Sequence, residues 1–340
     1  MKAAVLVTNG DPHRAFRLQE MPDPAVSDTQ VLISVESFGL NFADVMARLG
    51  QYQDCPPLPA IIGYEVVGRV LSWGKGVSGF TKGQRVAAFT RFGAYATQVA
   101  TQAAAVVPIA EDMPVGDALA LCTQYCTAYF AAEYITRLHE GEHVLVQSAA
   151  GGVGTALVQL AKMRGCIVYG TAGSDDKIAY LQEQGVDVPI NYRNEDFAKV
   201  IAQKAPNGKI DVIFDAVGGS AVRKGIALLN AGGRMVCYGA SSMSDRKKNI
   251  FKTAKSALEF GIYHPAQFMM SSRSLLGVNM LRVADDKPHI LQKCLQEVVK
   301  LASEGKVKPT VDTMFNIEQL PEAHEKLEFR NSIGKIGVTW

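Results

Sequence analysis

The sequence lacks a surplus of charge of either sign. Its 340 residues include 35 Lys and Arg against 33 Asp and Glu, a formal net charge of +2 with both signs well mixed. Proteins that bind nucleic acid usually carry a strongly basic face, so we expect no nucleic-acid partner. The one basic cluster, residues 246–248 with Lys252 and Lys255, is interpreted as a solvated helix face, with a membrane-surface or subunit contact as the alternative.

Also missing is an apolar run long enough to cross a bilayer. The longest apolar region, residues 118–135, is interrupted by Thr123, Gln124, Thr127 and Glu133, which the centre of a membrane would penalise. The first seven residues are strand-like and have neither the length nor the cleavage pattern of a signal peptide. We therefore expect a cytoplasmic protein with no transmembrane segment.

Cysteines are few and scattered. Only Cys122 and Cys126 lie close together in sequence, and no C-x-x-C pair occurs. With no export signal, reduced thiols are expected, and so few clustered soft ligands argue against a structural or catalytic zinc ion. The six cysteines are at positions 55, 122, 126, 166, 237 and 294.

Residues 139–143 read His-Glu-Gly-Glu-His and match the H-E-x-x-H motif of zinc proteases. In that motif the two histidines share one face of a helix. Here Gly141 stands in the middle, and the strand-like residues 144–147 follow at once. We predict a polar turn and no metal site.

The most informative stretch that is present is residues 144–154, Val-Leu-Val-Gln-Ser-Ala-Ala-Gly-Gly-Val-Gly. An apolar strand runs into a glycine turn, and the turn runs into the apolar helical pattern of residues 155–163. Gly151 and Gly154 match the last two glycines of G-x-G-x-x-G, with Ala149 where the first would stand. Such a turn brings a dinucleotide's pyrophosphate to the backbone and the helix start. Taken alone, the motif also fits a tight turn without a ligand.

Strands and helices alternate beyond this turn. A helix is expected over residues 176–184, where Gly185 ends it. The alternation predicts an α/β fold with a doubly wound parallel sheet, whose ligands bind at the carboxyl ends of the strands. Residues 216–218 and 238–240 both end in small residues there, which let a coenzyme lie close. The expected strands are residues 166–170, 188–191, 211–217 and 233–239.

The region after the second strand indicates which coenzyme is bound. NAD enzymes usually hold the ribose with an Asp or Glu about 20 residues past the glycines, and position 172 is an alanine here. Ser174, Lys177 and Tyr192 offer donors and a cation that suit a 2′-phosphate, so NADP(H) is favoured over NAD(H). The alternatives are Ser174 as a helix N-cap, Lys177 as a surface lysine, and a ribose contact by the two aspartates after Ser174.

The first 125 residues contain short strands and turns, which indicate a compact β-rich module. With them, the chain resembles the medium-chain dehydrogenase/reductase superfamily in its zinc-free NADPH:quinone oxidoreductase branch, and it looks most like the vesicle amine transport protein relatives. The residues that carry the likeness are 39–48, 63–70, 83–86, 148–154, 215–219, 247–279 and 331–335.

The resemblance implies a Rossmann domain at residues 126–266, a GroES-like catalytic domain at residues 1–125 and 267–340, and a homodimer. Zinc-dependent members have a cysteine before the Asn-Phe-Ala-Asp region and a histidine in a Gly-His-Glu motif. This sequence has no cysteine from residue 31 to 54, and Tyr64 replaces the histidine. The resemblance therefore implies no bound metal.

The same resemblance implies hydride transfer from NADPH to a quinone or an α,β-unsaturated carbonyl, which then takes a proton. Candidates to orient the substrate and supply or relay that proton are Asn41, Asp44, Tyr52 and Tyr64. Their ordinary roles would be a turn residue, a helix-start carboxylate and two partly buried anchors.

Coenzyme contacts are carried over residue by residue from similar proteins. Two further functions stay open, an NADPH-binding sensor or membrane-associated regulatory protein with little turnover, and a zinc-dependent alcohol dehydrogenase. The implied coenzyme contacts are Asn41, Thr127, Ala150, Gly151, Gly152, Val153, Gly173, Ser174, Lys177, Tyr192, Val217, Gly239, Val278, Asn279 and Arg330.

Overall fold

The computed structural model describes residues 1–243 and 259–340, and the chain divides into two compact units. The first unit comprises Met1–Cys126 and Met280–Trp340, and the second comprises Thr127–Asn279. The basic cluster expected on a helix face at residues 246–255 lies outside the described residues.

Strands dominate the first unit, and strands alternate with helices in the second. The strands are β1 (Lys2–Leu6), β2 (Phe16–Glu20), β3 (Gln30–Leu40), β4 (Glu65–Trp73), β5 (Arg85–Phe89), β6 (Gln98–Gln102), β7 (Val106–Pro108), β8 (His143–Val146), β9 (Ile167–Ala172), β10 (Val188–Asn191), β11 (Ile210–Asp215), β12 (Leu229–Cys237), β13 (Ser274–Gly277), β14 (Val311–Asn316) and β15 (Lys335–Thr339). The helices are α1 (Pro12–Ala15), α2 (Phe42–Arg48), α3 (Val115–Ala120), α4 (Cys126–Tyr129), α5 (Gly152–Met163), α6 (Asp175–Glu183), α7 (Phe197–Lys204), α8 (Ser220–Leu228), α9 (Pro265–Ser271), α10 (Met280–Asp286), α11 (Pro288–Ser303) and α12 (Leu320–Glu328).

Within residues 127–243 and 259–279, six strands form a parallel sheet in the order β10-β9-β8-β11-β12-β13. This order places the first strand of the unit in the middle and builds the sheet outward in both directions, as in a dinucleotide-binding fold. The central strands are covered on both faces, and Val144, Leu145 and Ile213 are completely buried. The predicted doubly wound parallel sheet is confirmed.

The sheet continues one strand further than the sequence indicates. Strand β13 pairs in parallel with β12 through Arg234 to Cys237, so the second unit extends to Asn279. We expected a return to the first domain after residue 266. The difference arises because β13 has only four residues, of which Leu275 and Leu276 are the apolar ones, and such a short edge strand has little periodicity to recognise.

In residues 1–126 and 280–340, seven strands form a mixed sheet in which β14, β15, β3, β4, β5 and β7 are neighbours in that order, and β6 also pairs with β3. The eleven-residue strand β3 holds the sheet together by pairing antiparallel with β15, β4 and β6. Since β15 lies beside β3 and β4 lies on its other side, the C-terminal strand brings Lys335 close to Glu65.

The His-Glu-Gly-Glu-His residues form the predicted turn. Gly141 has a φ of +79°, a left-handed conformation that favours glycine, and its N–H donates to the carbonyl of Gly165 at 3.1 Å. His143 begins β8, and its Nδ1 lies 3.2 Å from the hydroxyl of Tyr169. The two histidines therefore do not share a helix face.

Residues 118–135 form a largely buried helical region in which α3 and α4 alternate with the π-helical segments Leu121–Tyr125 and Phe130–Thr136. Among the described residues, we find no helix long and apolar enough to span a bilayer. All six cysteines lie in the described residues and have free thiols.

Candidate functional site

The glycine turn between β8 and α5 brings backbone segments into close contact. A Cβ at Gly154 would overlap the carbonyl oxygen of Ser148 and lie 2.7 Å from Cα of Ala149, so the helix can pack on the turn only with glycine there. Ala149 is completely buried and approaches Gly170, where an added Cβ would lie 3.1 Å from its methyl group. An alanine in the place of the first glycine is therefore accommodated.

The turn ends at the amino terminus of a twelve-residue helix. Gly151 is the N-cap of α5, and Ala150, Gly152 and Val153 flank it. The first N–H groups of a helix have no partner within it and carry the positive end of its dipole. These residues therefore fit the phosphates of a dinucleotide.

The residues predicted for the 2′-phosphate follow the carboxyl ends of β9 and β10, where Tyr192 lies against Gly173. The backbone N–H of Tyr192 donates to the carbonyl of Ala172 at 3.0 Å, and a Cβ at Gly173 would overlap the Tyr192 hydroxyl. Ser174 is the N-cap of α6, yet within the described residues its hydroxyl makes no capping bond. Lys177 is the third residue of that helix. A hydroxyl, a phenol and an ammonium group on neighbouring elements suit an anion.

The aspartates after Ser174 are less suited to hold a ribose. Asp175 accepts a hydrogen bond at 2.9 Å from the side chain of Asn191, and Asp176 is exposed on the first turn of α6. Strand β9 ends at Ala172, which has no carboxylate.

A buried carboxylate shapes the loop after β11. Asp215 accepts hydrogen bonds from the backbone N–H groups of Val217 at 3.2 Å and Gly218 at 2.8 Å, and it is completely buried. Burial raises the pKa of Asp215 to about 6, against the opposing effect of these two bonds. Gly239 closes on the same loop, since an added Cβ would lie 2.9 Å from the carbonyl oxygen of Ala216.

The remaining predicted coenzyme contacts are spread over both units. Thr127 is a buried residue of α4. Val278 donates its N–H to the carbonyl of Cys237 at 2.9 Å, and Asn279 follows it at the end of the second unit. Arg330 belongs to the first unit, where it is exposed and has a φ of +59° just after α12.

The predicted catalytic residues lie in the first unit, beside a buried ion pair. Lys335 and Glu65 are completely buried and in direct contact. The Asn41 side-chain amide donates to the two Glu65 oxygens at 2.9 and 2.7 Å, and Lys335 Nζ donates to Asn41 Oδ1 at 3.3 Å. Thr123 donates its hydroxyl to Glu65 as well. Both ends of the Asn41 amide are thus engaged, which fixes its orientation.

Asp44 lies in the first turn of helix α2 and is completely buried. Its Oδ2 accepts the backbone N–H of Asn41 at 2.8 Å, while no hydrogen-bond partner for its Oδ1 is found among the described residues. Burial raises the pKa of Asp44 well above its usual range, nearby Glu65 adds to the rise, and the backbone N–H of Asn41 and Lys335 oppose it.

Tyr52 and Tyr64 pack edge to face, with ring centroids 6.1 Å apart. Tyr64 is 3% exposed, and its hydroxyl is a second buried oxygen without a hydrogen-bond partner in the described part of the chain. Burial raises the pKa of both phenols, and the charge of Asp44 contributes at each of them. The two tyrosines and Asp44 therefore form one interacting group.

Four functional candidates were not recognisable from the sequence. Glu65 and Lys335 meet only through the sheet, with 270 residues between them. Thr123 lies in an apolar helical region, and Asp215 ends a buried strand. A charged residue at the end of a largely apolar strand, as at Asp215 and Lys335, was the one available signal, because such a group is rarely buried without a partner.

Comparison with known proteins identifies the family to which this chain belongs. Residues 27–111 match the alcohol dehydrogenase GroES-like domain family, and residues 184–338 match the zinc-binding dehydrogenase family. The chain is 34% identical over 339 residues to the synaptic vesicle membrane protein VAT-1 homolog of Danio rerio, covering 99% of this chain and 69% of that protein. The chain belongs to the medium-chain dehydrogenase/reductase superfamily. It is an oxidoreductase of that superfamily, and the expected pairing of a GroES-like with a Rossmann-like domain is confirmed.

Solved structures of the superfamily share the whole fold. The human synaptic vesicle membrane protein VAT-1 homolog-like protein is 27% identical with a TM-score of 0.85, covering 100% of this chain and 98% of that one. A quinone oxidoreductase from Pseudomonas syringae is 26% identical with a TM-score of 0.84, covering 100% and 99% of the two chains.

Tyr64 lies between Gly63 and Glu65, where the resemblance places the histidine of the Gly-His-Glu motif of zinc-dependent members. No group of three or more His, Cys, Asp or Glu side chains that could hold a metal ion occurs in residues 1–243 and 259–340. The side chains next to Tyr64 are instead Tyr52, Phe92 and the buried Asp44.

Proposed function

We propose that this protein is a zinc-independent oxidoreductase that uses NADP(H) to reduce a quinone or an α,β-unsaturated carbonyl. The preference for NADP(H) is supported by the position of Tyr192 against Gly173, next to Ser174, at a place where β9 ends without a carboxylate. A cytoplasmic location, expected from the sequence, and a homodimer, which rests on the resemblance alone, are part of the proposal.

The chain's own residues would bind the coenzyme in a fixed way. Residues 150–153 would hold the pyrophosphate at the start of α5, and Ser174, Lys177 and Tyr192 the 2′-phosphate. The loop that Asp215 holds through Val217 would lie at the nicotinamide side. The remaining proposed contacts are Asn41, Thr127, Gly239, Val278, Asn279 and Arg330.

The bound coenzyme supplies a hydride. Without a metal to polarise a carbonyl, the acceptor must already be activated, as in a quinone or an enone, and it must then receive a proton. Tyr52 is half-buried and carries a phenol that burial keeps protonated, so it can donate to the oxygen of the reduced acceptor. The amide of Asn41, which Glu65 and Lys335 hold in place, would orient the substrate.

Purified protein mixed with NADPH and a panel of quinones and enones tests this proposal. Steady loss of NADPH absorbance that depends on the acceptor, and that a chelator does not reduce, is the expected result. Tight NADPH binding with no turnover on any acceptor would contradict the enzymatic proposal. Chelator-sensitive oxidation of an alcohol would instead indicate a zinc-dependent alcohol dehydrogenase.

A second candidate function is an NADPH-binding regulatory protein that associates with membranes. Three large apolar side chains around α9 favour it, since Ile262 is 90% exposed, Met269 77% and Met270 84%. The similar proteins from Danio rerio and human are named synaptic vesicle membrane proteins. Co-sedimentation with anionic phospholipid vesicles, reduced by Met269→Ser together with Met270→Ser, would support this function.

A further inference from the structure

Helix α10 is tied by ion pairs to two segments beside Tyr52. Arg282 forms an ion pair with Asp54, whose side chain is only 15% exposed. Asp285 accepts hydrogen bonds from Arg91 Nε at 2.8 Å on one oxygen and 3.1 Å on the other. Positions 282 and 285 are three residues apart, so their side chains share one face of the helix. One face of α10 therefore makes both ion pairs.

The partner of Arg282 lies in an irregular loop. Residues 51–59 follow α2 and form neither a helix nor a strand. Within this loop the N–H of Cys55 donates to the carbonyl of Tyr52 at 3.2 Å, which closes a turn, and Asp54 lies inside the turn. A loop of this kind keeps conformational freedom unless side-chain contacts order it. The ion pair with Arg282 supplies such a contact two residues from Tyr52.

The second ion pair fastens the segment that supports the Tyr52 ring. Arg91 and Phe92 follow β5, and the ring centroids of Phe92 and Tyr64 are 5.2 Å apart. Tyr64 in turn packs edge to face on Tyr52. Since Asp285 pairs with Arg91, it holds the chain next to this row of three rings. The two ion pairs of α10 thus act on the backbone of the Tyr52 turn and on the packing of its ring.

Helix α10 is itself anchored in the core of the first unit. Met280 is 8% exposed and Leu281 3%, and the helix packs on α11. Arg282 and Asp285 lie at the surface, with side chains 57% and 31% exposed. The helix is therefore a fixed support from which two charged side chains reach the loops around Tyr52.

We propose that α10 clamps the Tyr52 turn through the Arg282–Asp54 and Asp285–Arg91 pairs, and that these four residues position the Tyr52 hydroxyl for the acceptor. The inference rests on the proposed function, in which Tyr52 protonates the reduced acceptor, and it adds the residues that position this donor. The four charged residues would not touch the substrate and would act through Tyr52. A proton donor must lie within hydrogen-bond reach of its acceptor, and a displacement of about 1 Å can lower a rate about 100-fold.

The charges of the first pair lie close enough to act on the phenol that they would position. Burial raises the pKa of the Tyr52 phenol, the Asp54 carboxylate adds to the rise, and the Arg282 guanidinium opposes it. Because the two charges act in opposite directions, the pair can fasten the turn without placing a net charge beside the phenol.

Amide hydrogen exchange of the coenzyme-free protein tests the clamp without turnover. Arg282→Gln and Asp54→Asn break the same pair, and both variants should fold, because a partly exposed ion pair contributes little to global stability. We expect the amides of residues 50–55 to exchange at least about threefold faster in each variant, since the loop opens locally more often. The control is Arg164→Gln, which breaks the partly exposed pair with Glu133 in the second unit and should leave these amides at the wild-type rate. Wild-type exchange of residues 50–55 in both clamp variants would overturn the proposal.

Steady-state kinetics test whether the clamp acts through Tyr52. We expect Arg282→Gln to lower kcat for an enone about tenfold, with the NADPH dissociation constant unchanged, and Arg282→Lys, which keeps the charge, to recover most of the loss. In the Tyr52→Phe background, Arg282→Gln should cause no further loss, because its effect passes through the phenol. The same loss in both backgrounds would refute the positioning role. Faster exchange in the clamp variants, with no turnover of any acceptor by the wild type, would contradict the proposed function while supporting the clamp.

Discussion

Lys335 and Glu65 form a completely buried ion pair across the sheet of the first unit, although 270 residues separate them. Gly39 makes room for this pair, since a Cβ there would overlap the Glu65 carboxylate and the Lys335 side chain. The pair also orients the Asn41 amide, so fold stability and the candidate site depend on the same contact.

Breaking this pair should destabilise the protein strongly. In Lys335→Met, the Glu65 carboxylate stays buried without its cation, which costs about 3–5 kcal/mol of unfolding free energy. The control is Lys162→Met, which breaks the partly exposed pair with Asp187 and should cost at most about 1 kcal/mol. Urea denaturation of the three proteins measures both changes. Equal losses of unfolding free energy in the two variants would show that burial does not make the Glu65–Lys335 pair more important for stability than an exposed pair.

Replacement of Gly154 should abolish coenzyme binding. In Gly154→Ala the new Cβ would meet the backbone of Ser148 and Ala149, so α5 must move away from the turn that receives the pyrophosphate. Gly141→Ala strains a residue with positive φ in open space, just before the amino end of β8 and so at the opposite end of that strand from the turn, and serves as the control. In a fluorescence titration with NADPH, the Kd of Gly154→Ala should be at least tenfold higher than that of the wild type, on the order expected for a lost phosphate contact. The Kd of Gly141→Ala should equal that of the wild type. A wild-type Kd in Gly154→Ala would contradict the assignment of the turn.

The parallel sheet could be predicted because its central strands contain short apolar runs with small residues following, as at residues 144–146 and 212–214. Strand β13 escaped prediction because four residues at a sheet edge show no period. The ion pair escaped because nothing near Glu65 in the chain indicates that Lys335 will lie beside it. Likewise, the sequence marks Asp44 as a helix-start carboxylate, which it is, but burial and the missing partner at Oδ1 depend on distant packing.

The coenzyme preference should depend on Ser174 and Lys177. The double variant Ser174→Ala/Lys177→Ala removes a hydroxyl and an ammonium group at the start of α6, where the 2′-phosphate is proposed to bind. We expect NADPH affinity to fall about 100-fold, because charge-assisted hydrogen bonds contribute about 1.5–3 kcal/mol each, and NADH affinity to change little. Calorimetric titration with both coenzymes checks this. Equal losses for NADPH and NADH would exclude a 2′-phosphate contact at these residues.

Asp215 should make folding stability depend on pH. Its pKa is raised from 3.8 to about 6, so the folded state favours the protonated form. The stabilisation by this proton is complete below about pH 4 and is lost as the pH rises through about 6, by up to about 3 kcal/mol. Asp215→Asn should therefore gain stability relative to the wild type as the pH rises across this window. Urea denaturation at a series of pH values gives the difference, and a constant difference would show that Asp215 is ionised with an ordinary pKa in the folded protein.

In the proposed function, a reduced nicotinamide coenzyme with a 2′-phosphate binds at the carboxyl edge of the parallel sheet. Isothermal titration calorimetry of the wild-type protein tests it most directly. We predict one NADPH bound per chain, with a Kd at least tenfold lower than that of NADH, the ratio expected for one charge-assisted contact. No heat of binding with either coenzyme, or tighter binding of NADH, would contradict the account.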